Sequence, residues 1–382
     1  MLISPTGIVF AWLLWLLSVV LLGGGLYLIW AWYVGVLVGT AYLVGGVAMT
    51  LLTFFGRPLV LLFVRPGRDE PRAIRADAAE ITRPDGSMLH VETCGPVDGP
   101  PLVLTHGWGT NSTVWYYVKR HLAGRFRLVL WDLPGLGESR GPADNDYRLE
   151  KMAADLEAVV ARVERPAVLV GHSIGGMILL TFCRLFPQHL GTRVVGLVLV
   201  DTTYTNPLAT TTASGLLRAL QKPVVEPLLH LTIWLAPLVW LMNWLSYLNG
   251  AGHLASKLTG FAGHETRGQL DFATLFTPTA SPAVQARGAL AMLRYDATTT
   301  LPTIPVPVLV LAGHLDRMTI PEAARYIRDH VPAGQYVELR PGGHMSILET
   351  NEQFDQLVGE FAAACSAAPA ATPHRPADIN VA

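Results

Sequence analysis

The sequence predicts an α/β protein with a mostly parallel sheet and helices on both faces, preceded by an N-terminal transmembrane helical hairpin. Three observations lead to this prediction. Residues 1–56 contain no charged side chain, and every charged residue follows them. From about residue 78, short apolar runs alternate with amphipathic segments of helical spacing, which is typical of βα units. One insertion, residues 206–303, has helical character and is too long for an ordinary connection.

The composition excludes a disordered chain and makes a nucleic-acid partner unexpected. Of the 382 residues, 51% are hydrophobic and 15% are charged, against roughly 25% charged in an average soluble domain. The net charge is −1 and the basic residues are not clustered, so no nucleic-acid footprint is present. The three cysteines, at positions 94, 183 and 365, are far apart and fit no zinc spacing.

The uncharged block is long enough for two membrane-spanning helices, because one span needs about 20 apolar residues. We expect the first helix at residues 7–28 and the second at residues 34–55. Amphipathic rings, which favour the headgroup level, follow the first helix: Trp30, Trp32 and Tyr33. An alternative turn at residues 23–25 leaves the first helix too short to cross. The other alternative, a cleaved signal peptide, lacks a basic start and a cleavage site.

The basic residues nearest the block predict its orientation. Five arginines follow the second helix: Arg57, Arg65, Arg68, Arg72 and Arg75. The N-terminal side carries no basic side chain. The positive-inside rule therefore places the large C-terminal part in the cytoplasm.

The rest of the chain shows a strand-rich start followed by a βα rhythm. A β-hairpin is expected at residues 80–83 and 89–93, around a turn at Gly86, because glycine permits the positive φ of such turns. Further runs are too apolar for half-exposed strands and indicate a parallel sheet: residues 102–105, 128–131, 167–170, 195–200 and 308–312, with a last strand near 336–339. Helical spacing occurs at residues 148–163, 174–186 and 346–363.

The insertion contains a second uncharged run, residues 227–256, whose length equals that of a third membrane span. Pro237 interrupts this run. A third crossing would also place the segments before and after it on opposite sides of the bilayer, although both carry residues that the chemistry below needs together. We therefore expect an apolar lid that touches the membrane.

A nucleophile is indicated where the strand at residues 167–170 runs into Gly-His-Ser-Ile-Gly-Gly, residues 171–176, and then into a helix. This is the G-x-S-x-G elbow in its strand-turn-helix context, which projects the hydroxyl of Ser173 from a sharp turn. Small residues at positions 171 and 175 let the strand and the helix pass closely. A glycine-rich turn with an incidental serine is the alternative interpretation.

A serine nucleophile needs a histidine base, which in turn needs a carboxylate. Asp316 follows the strand at residues 308–312, and His344 follows the last strand. Loops at one edge of a parallel sheet converge, so we predict Ser173, Asp316 and His344 as a triad. Asp201, after the strand at residues 195–200, is the alternative acid, and His314 is an alternative base that we interpret as a structural loop residue.

Two backbone N–H groups are needed to hold the oxyanion of a tetrahedral intermediate. One is expected to be that of Ile174, which follows the nucleophile. The other is expected to be that of Trp108, within His-Gly-Trp-Gly at residues 106–109, where glycines free the backbone to turn inward.

Together these motifs resemble the α/β-hydrolase superfamily, over residues 78–363. They are His106-Gly107-Trp108-Gly109, Asp132-Leu133-Pro134-Gly135-Leu136-Gly137-Glu138-Ser139, Gly171-His172-Ser173-Ile174-Gly175-Gly176, Gly313-His314-Leu315-Asp316 and Gly343-His344. The resemblance implies an α/β-hydrolase fold with a lid after the sixth strand, and Ser173 as nucleophile, Asp316 as acid and His344 as base. Members with an aspartate nucleophile, such as epoxide hydrolases and haloalkane dehalogenases, are disfavoured by Ser173. The family members that the chain most resembles include membrane-anchored enzymes of the monoacylglycerol-lipase type.

The resulting domain prediction has six parts. They are a transmembrane hairpin at 1–56, a juxtamembrane linker at 57–77, the first part of the hydrolase core at 78–205, a helical lid at 206–303, the second part of the core at 304–363 and a disordered tail at 364–382.

The leading functional hypothesis is a membrane-anchored serine esterase or lipase that cleaves lipophilic esters, including monoacylglycerols, taken up from the lipid bilayer. No metal and no organic cofactor are expected. An acyltransferase, a C–C bond hydrolase and a cofactor-free haloperoxidase-like enzyme are alternatives that use the same triad. A noncatalytic membrane-bound scaffold is the alternative from another class. Fold alone does not separate these.

Overall fold

The computed structural model describes residues 4–367, and its centre is one eight-stranded sheet. The strands are β1 (Asp77–Thr82), β2 (Met88–Cys94), β3 (Pro101–Thr105), β4 (Arg127–Trp131), β5 (Ala167–His172), β6 (Val194–Val200), β7 (Val308–Gly313) and β8 (Gly334–Leu339). Their order is β1-β2-β4-β3-β5-β6-β7-β8. Only β1–β2 and β2–β4 pair antiparallel. The predicted fold class, a mostly parallel α/β sheet, is confirmed.

The helices cover both faces of the sheet. Before the lid they are α1 (Ile8–Tyr33), α2 (Thr40–Leu62), α3 (Tyr116–Leu122), α4 (Leu149–Val160) and α5 (Ile174–Leu185). Between β6 and β7 lie α6 (Ser214–Leu220), α7 (Glu226–Trp234), α8 (Ala236–Leu248), α9 (Ala251–Gly260), α10 (Arg267–Thr279) and α11 (Pro282–Met292). The last three are α12 (Pro321–His330), α13 (Ser346–Glu349) and α14 (Asn351–Ala367).

The C-terminal end differs from the prediction in two ways. The single helix expected at residues 346–363 is divided at Thr350 into α13 and α14. Helix α14 continues to Ala367, so residues 364–367 of the expected disordered tail are helical, because Cys365 packs into the core. Residues 368–382 of that expected tail lie outside the described residues.

The two N-terminal helices are longer than expected. Helix α1 ends at Tyr33 rather than at residue 28, so the aromatic residues form its last turn and residues 34–39 make the connection. Helix α2 passes the predicted end at residue 55 and continues through Arg57 to Leu62. It crosses the predicted boundary because the charge of Arg57 is paired with Asp271 of α10. Both helices are long and apolar enough to cross a membrane.

Small residues hold the two helices together. A Cβ added to Gly46 would lie 2.8 Å from the carbonyl oxygen of Gly25, and one added to Gly25 would lie 2.7 Å from Thr50 Oγ1. Close backbone approach of this kind supplies van der Waals contact, which drives helix association where the surroundings are as apolar as the side chains.

The hairpin formed by α1 and α2 packs against the lid through side-chain hydrogen bonds. In the first half of α1, Trp15 Nε1 donates to Asn243 Oδ1 at 3.0 Å, and Ser18 shares a hydrogen bond with Ser246 at 3.2 Å. In the second half of α2, Arg57 donates two hydrogen bonds to Asp271, at 2.7 and 2.5 Å. Nothing in the sequence predicted this contact, because it joins segments more than 200 residues apart.

The uncharged run at residues 227–256 does not form a straight span. The helical segment that ends with α7 and the helix α8 are bent by 99° relative to one another. The two helices therefore lie across one another within the helical insertion between β6 and β7, which is called the lid here, and Trp234 and Trp240 are exposed on its surface.

Gly56→Ala is expected to lower the free energy of unfolding by about 1–3 kcal/mol, because overpacking strains a close contact. The added Cβ would lie 2.3 Å from the carbonyl oxygen of Asn249, at the contact between α2 and the lid. Gly45→Ala is the matched control in the same helix, since nothing lies within 4 Å of its Cβ. Thermal unfolding in detergent compares the two variants. Equal unfolding midpoints would contradict the docked arrangement.

Candidate active site

Ser173 occupies a strained turn between β5 and α5. Its φ is 55° and its ψ is −119°, a combination that side chains rarely adopt and that surrounding structure must enforce. A Cβ on Gly175 would lie 2.3 Å from the carbonyl oxygen of Thr105, and one on Gly171 would lie 2.6 Å from the backbone of Gly175. These glycines are required because β3, β5 and α5 meet here without room for a side chain.

The structure brings together the three residues predicted as a triad, although they come from the ends of three strands. His344 Nε2 lies 3.0 Å from Ser173 Oγ, and His344 Nδ1 lies 2.8 Å from Asp316 Oδ2. Asp316 and His344 are buried, at 3% and 2% exposure. Asp316 also accepts hydrogen bonds from the backbone N–H of Met318 and from the hydroxyl of Thr319. The carboxylate is therefore satisfied and fixed in position.

The electrostatics of this line of residues are suited to proton transfer. Burial opposes a positive charge on His344, but the charge of Asp316 and its hydrogen bond outweigh burial and raise the pKa of His344 above 6.5. Burial opposes the charge of Asp316 as well, yet His344 and Thr319 hold the pKa of Asp316 below its usual value. Asp316 is thus ionised at neutral pH and stabilises a protonated His344.

Asp201, the alternative acid, lies in the same region but makes no hydrogen bond to His344. It accepts hydrogen bonds from the N–H of Gly313 at 2.8 Å and from the hydroxyl of Ser346 at 2.5 Å. Burial and the nearby charge of Asp316 raise the pKa of Asp201 to about 8. Its contacts connect the ends of the two loops that carry Asp316 and His344.

His172 and His314, two further histidines of this region, make hydrogen bonds to the backbone. His172 Nε2 donates to the carbonyl oxygen of His344 at 2.8 Å. Burial and the neighbouring charge of His344 lower the pKa of His172 to about 3, so it stays neutral. His314, the alternative base, accepts a hydrogen bond at Nδ1 from the N–H of Gly342 at 3.2 Å and lies in the adjoining loop.

The backbone N–H groups of Ile174 and Trp108 are the two donors that the sequence predicts for the oxyanion, and Trp108 lines the same pocket as Ser173. Within residues 4–367, neither group donates a hydrogen bond to the protein. The loop that carries Trp108 turns at Gly109, whose φ is +75°. It is fixed by His106 Nε2, which accepts the N–H of Leu133 at 2.9 Å. Two unused donors beside a nucleophile are the feature expected of an oxyanion hole.

The side chain of Trp108 is held by the lid, which sequence reasoning missed. Its Nε1 donates to the carbonyl oxygen of Gln285 at 2.8 Å. A Cβ on Gly288 of α11 would lie 2.0 Å from the indole ring. Gly288 belongs to no recognisable sequence motif. Its contact with Trp108 is therefore apparent only from the tertiary structure.

An apolar pocket opens beside Ser173. Four methionines line it: Met177, Met292, Met318 and Met345. Residues 4–6, which precede α1, line the same pocket. Nothing in the sequence predicted that the segment preceding α1 lines the pocket beside Ser173 and His344. Among residues 4–367, no group of three or more histidine, cysteine, aspartate or glutamate residues is arranged to hold a metal ion.

The reaction of Ser173 with a fluorophosphonate is expected to slow as the pH falls, with a midpoint above 6.5. Only neutral His344 can accept the hydroxyl proton, and the raised pKa of His344 means that it becomes protonated already above pH 6.5. Measured labelling rates between pH 5 and 9 test this, with Ser173→Ala as the unlabelled control. A midpoint below 6.5 would contradict the assigned role of Asp316.

Comparison with known proteins identifies the family of the chain. Residues 102–357 match the model of the Alpha/beta hydrolase family. A pimeloyl-[acyl-carrier protein] methyl ester esterase from Nitrosomonas europaea is 30% identical over 274 residues, which is 70% of this chain and 97% of the relative. The hairpin helices α1 and α2 lie outside the family match.

Solved structures show the same fold. A thermophilic esterase from Thermogutta terrifontis is 25% identical, with a TM-score of 0.61, and the match covers 76% of this chain and 100% of that one. An esterase from Exiguobacterium antarcticum is 23% identical, also with a TM-score of 0.61, over 75% of this chain and 100% of that one. With the family match over two thirds of its length, the chain belongs to the alpha/beta hydrolase family.

Proposed function

We propose that the protein is a membrane-anchored serine hydrolase that cleaves carboxylic esters of lipophilic substrates. The observation that carries the proposal is the hydrogen-bonded line from Asp316 through His344 to Ser173, with distances of 2.8 and 3.0 Å. It ends beside two unused backbone donors and an apolar pocket. This combination supplies a nucleophile, a base, an orienting carboxylate and an oxyanion hole.

Hydrolysis proceeds through an acyl-enzyme. His344 takes the proton of Ser173 while Oγ attacks the ester carbonyl, and the N–H groups of Ile174 and Trp108 stabilise the oxyanion. Protonated His344, held by Asp316, then gives its proton to the departing alcohol. His344 then takes a proton from a water molecule as its oxygen attacks the acyl group, and returns that proton to Ser173 Oγ as the bond to Oγ breaks and the acid is released.

The relatives support ester cleavage as the reaction. The relative from N. europaea is named a methyl ester esterase, and the structure from T. terrifontis is an esterase. Both named activities are hydrolyses of esters. This favours a hydrolase over an acyltransferase built on the same triad.

The lipophilic substrate is supported by the pocket and by the surface around it. Methionine side chains are flexible and polarizable, so they adapt to linear apolar ligands. Each methylene that a substrate buries contributes about 0.8 kcal/mol. Outside the pocket, large apolar residues are exposed on both the hairpin and the lid, among them Leu26, Tyr27, Phe55, Trp234, Leu238 and Trp240. Such a surface suits a lipid bilayer, from which monoacylglycerols and similar esters reach the pocket directly.

Hydrolysis of p-nitrophenyl esters is expected to peak at acyl chains of about 8 to 12 carbons, because each added methylene is buried until the pocket is full. The measurement is kcat/KM across C2 to C16 esters with detergent-solubilised protein. Ser173→Ala should lose at least about 1000-fold in kcat, as expected for removal of a nucleophile. Activity confined to the C2 ester would retain the esterase and reject the lipophilic substrate. No hydrolysis at any chain length by folded protein would contradict the proposed activity.

The hairpin is expected to keep the protein in the membrane with its hydrolase domain in the cytoplasm, because the arginines after residue 56 favour that side. Carbonate extraction of membranes tests the anchoring. Fusions of a cytoplasmic and of a periplasmic reporter to the C-terminus test the orientation. Release of the protein by carbonate would contradict the anchoring. Activity of the periplasmic reporter alone would contradict the orientation.

A further inference from the structure

The segment that precedes α1 lies in the wall of the catalytic pocket. Ser4, Pro5 and Thr6 line the same pocket as Ser173 and His344. Ser4 and Pro5 are buried and Thr6 is partly buried. The segment therefore forms a side of the space in which a substrate must lie.

The segment is held there by the start of α1. The carbonyl oxygen of Ser4 accepts hydrogen bonds from the N–H groups of Gly7 and Ile8, at 3.2 and 3.0 Å. Ile8 and Ala11 have no exposed surface and belong to the same apolar cluster as Trp108 and Met177. The segment is thus part of the packed structure, with its backbone folded onto the helix.

The docking of the hairpin on the lid fixes the segment further. One turn and two turns beyond Ala11, Trp15 and Ser18 are hydrogen-bonded to Asn243 and Ser246 of α8. Movement of α1 along the lid would break these bonds and withdraw the segment from the pocket. The position of the anchor and the shape of the pocket are therefore linked.

We propose that residues 4–6 are a specificity-determining wall of the acyl pocket, so that the membrane hairpin both anchors the protein and completes its substrate site. The inference rests on the proposed function and extends it, because residues 4–6 lie outside the part that matches the family. The acyl chain of the substrate packs between this segment and the methionines of the pocket. Chain-length preference then depends on the side chains at positions 5 and 6.

The first test compares Thr6→Trp with Leu13→Trp. Leu13 lies on the same helix, is 59% exposed and does not line the pocket. The measured quantity is the ratio of kcat/KM for a C10 ester to that for a C2 ester. Thr6→Trp should lower this ratio at least tenfold, because the indole occupies space needed by the longer chain, whereas Leu13→Trp should change it less than twofold. An unchanged ratio in folded Thr6→Trp protein would overturn the proposal.

The second test does not require ester hydrolysis. The thiol introduced by Thr6→Cys is labelled with N-ethylmaleimide with and without decanoate, and the labelling of the parent protein, which has three cysteines, is subtracted. Decanoate should slow labelling at least fivefold. Val97 lies on the surface of the hydrolase domain and is 78% exposed. Val97→Cys should therefore be labelled at the same rate with and without decanoate.

The two tests separate the inference from the proposed function. Protection by decanoate without hydrolysis of any ester would reject the esterase and keep the segment as a pocket wall. The opposite outcome is hydrolysis that prefers the C10 ester, with no protection of Thr6→Cys by decanoate and no effect of Thr6→Trp on the C10-to-C2 ratio of kcat/KM. That outcome would keep the esterase and reject residues 4–6 as a wall of the pocket.

Discussion

The geometry of the site depends on the close approach of three backbones around Ser173. Strands β3 and β5 and the start of α5 meet where Gly171 and Gly175 leave no room for a side chain. This contact holds Ser173 at a positive φ and directs its hydroxyl away from the sheet, while leaving the N–H of Ile174 without a protein partner. The strain is tolerated because the surrounding core over-determines the turn. The loops after β7 and β8 then only need to reach this one point.

Buried charge is the second constraint on the site. Two buried carboxyl groups, Asp316 and Asp201, both act on the charge of His344. Burial and the repulsion between two negative charges in a medium of low dielectric raise the pKa of Asp201 to about 8, whereas the pKa of Asp316 is held below its usual value. Asp316 keeps the charge because Thr319, Met318 and His344 all donate to it. Asp201 instead connects the backbone of one loop to Ser346 beyond the other.

The hairpin adds a feature that the hydrolase core alone does not have. Two helices with the length and apolarity of membrane spans pack on the lid through hydrogen bonds and an ion pair, and residues 4–6, which precede the first of them, line the pocket. Polar contacts such as Trp15 with Asn243 give a defined register where apolar packing alone would allow sliding. The two apolar N-terminal helices and the pocket beside Ser173 are consequently one structural unit.

The sequence by itself determined the α/β class, the elbow at Ser173, the candidates Asp316 and His344, and the presence of two apolar N-terminal helices. These follow from local patterns: strand-turn-helix glycines, residues after buried strands, and an uncharged block. It left Asp201 and Asp316 as alternatives, because both follow strands of one sheet and only the contacts of His344 distinguish them. The tertiary structure alone placed Gly288 against Trp108, paired Arg57 with Asp271 and brought residues 4–6 to Ser173. Such contacts join residues far apart in the chain, and their specificity comes from side-chain packing that has no periodicity in the sequence.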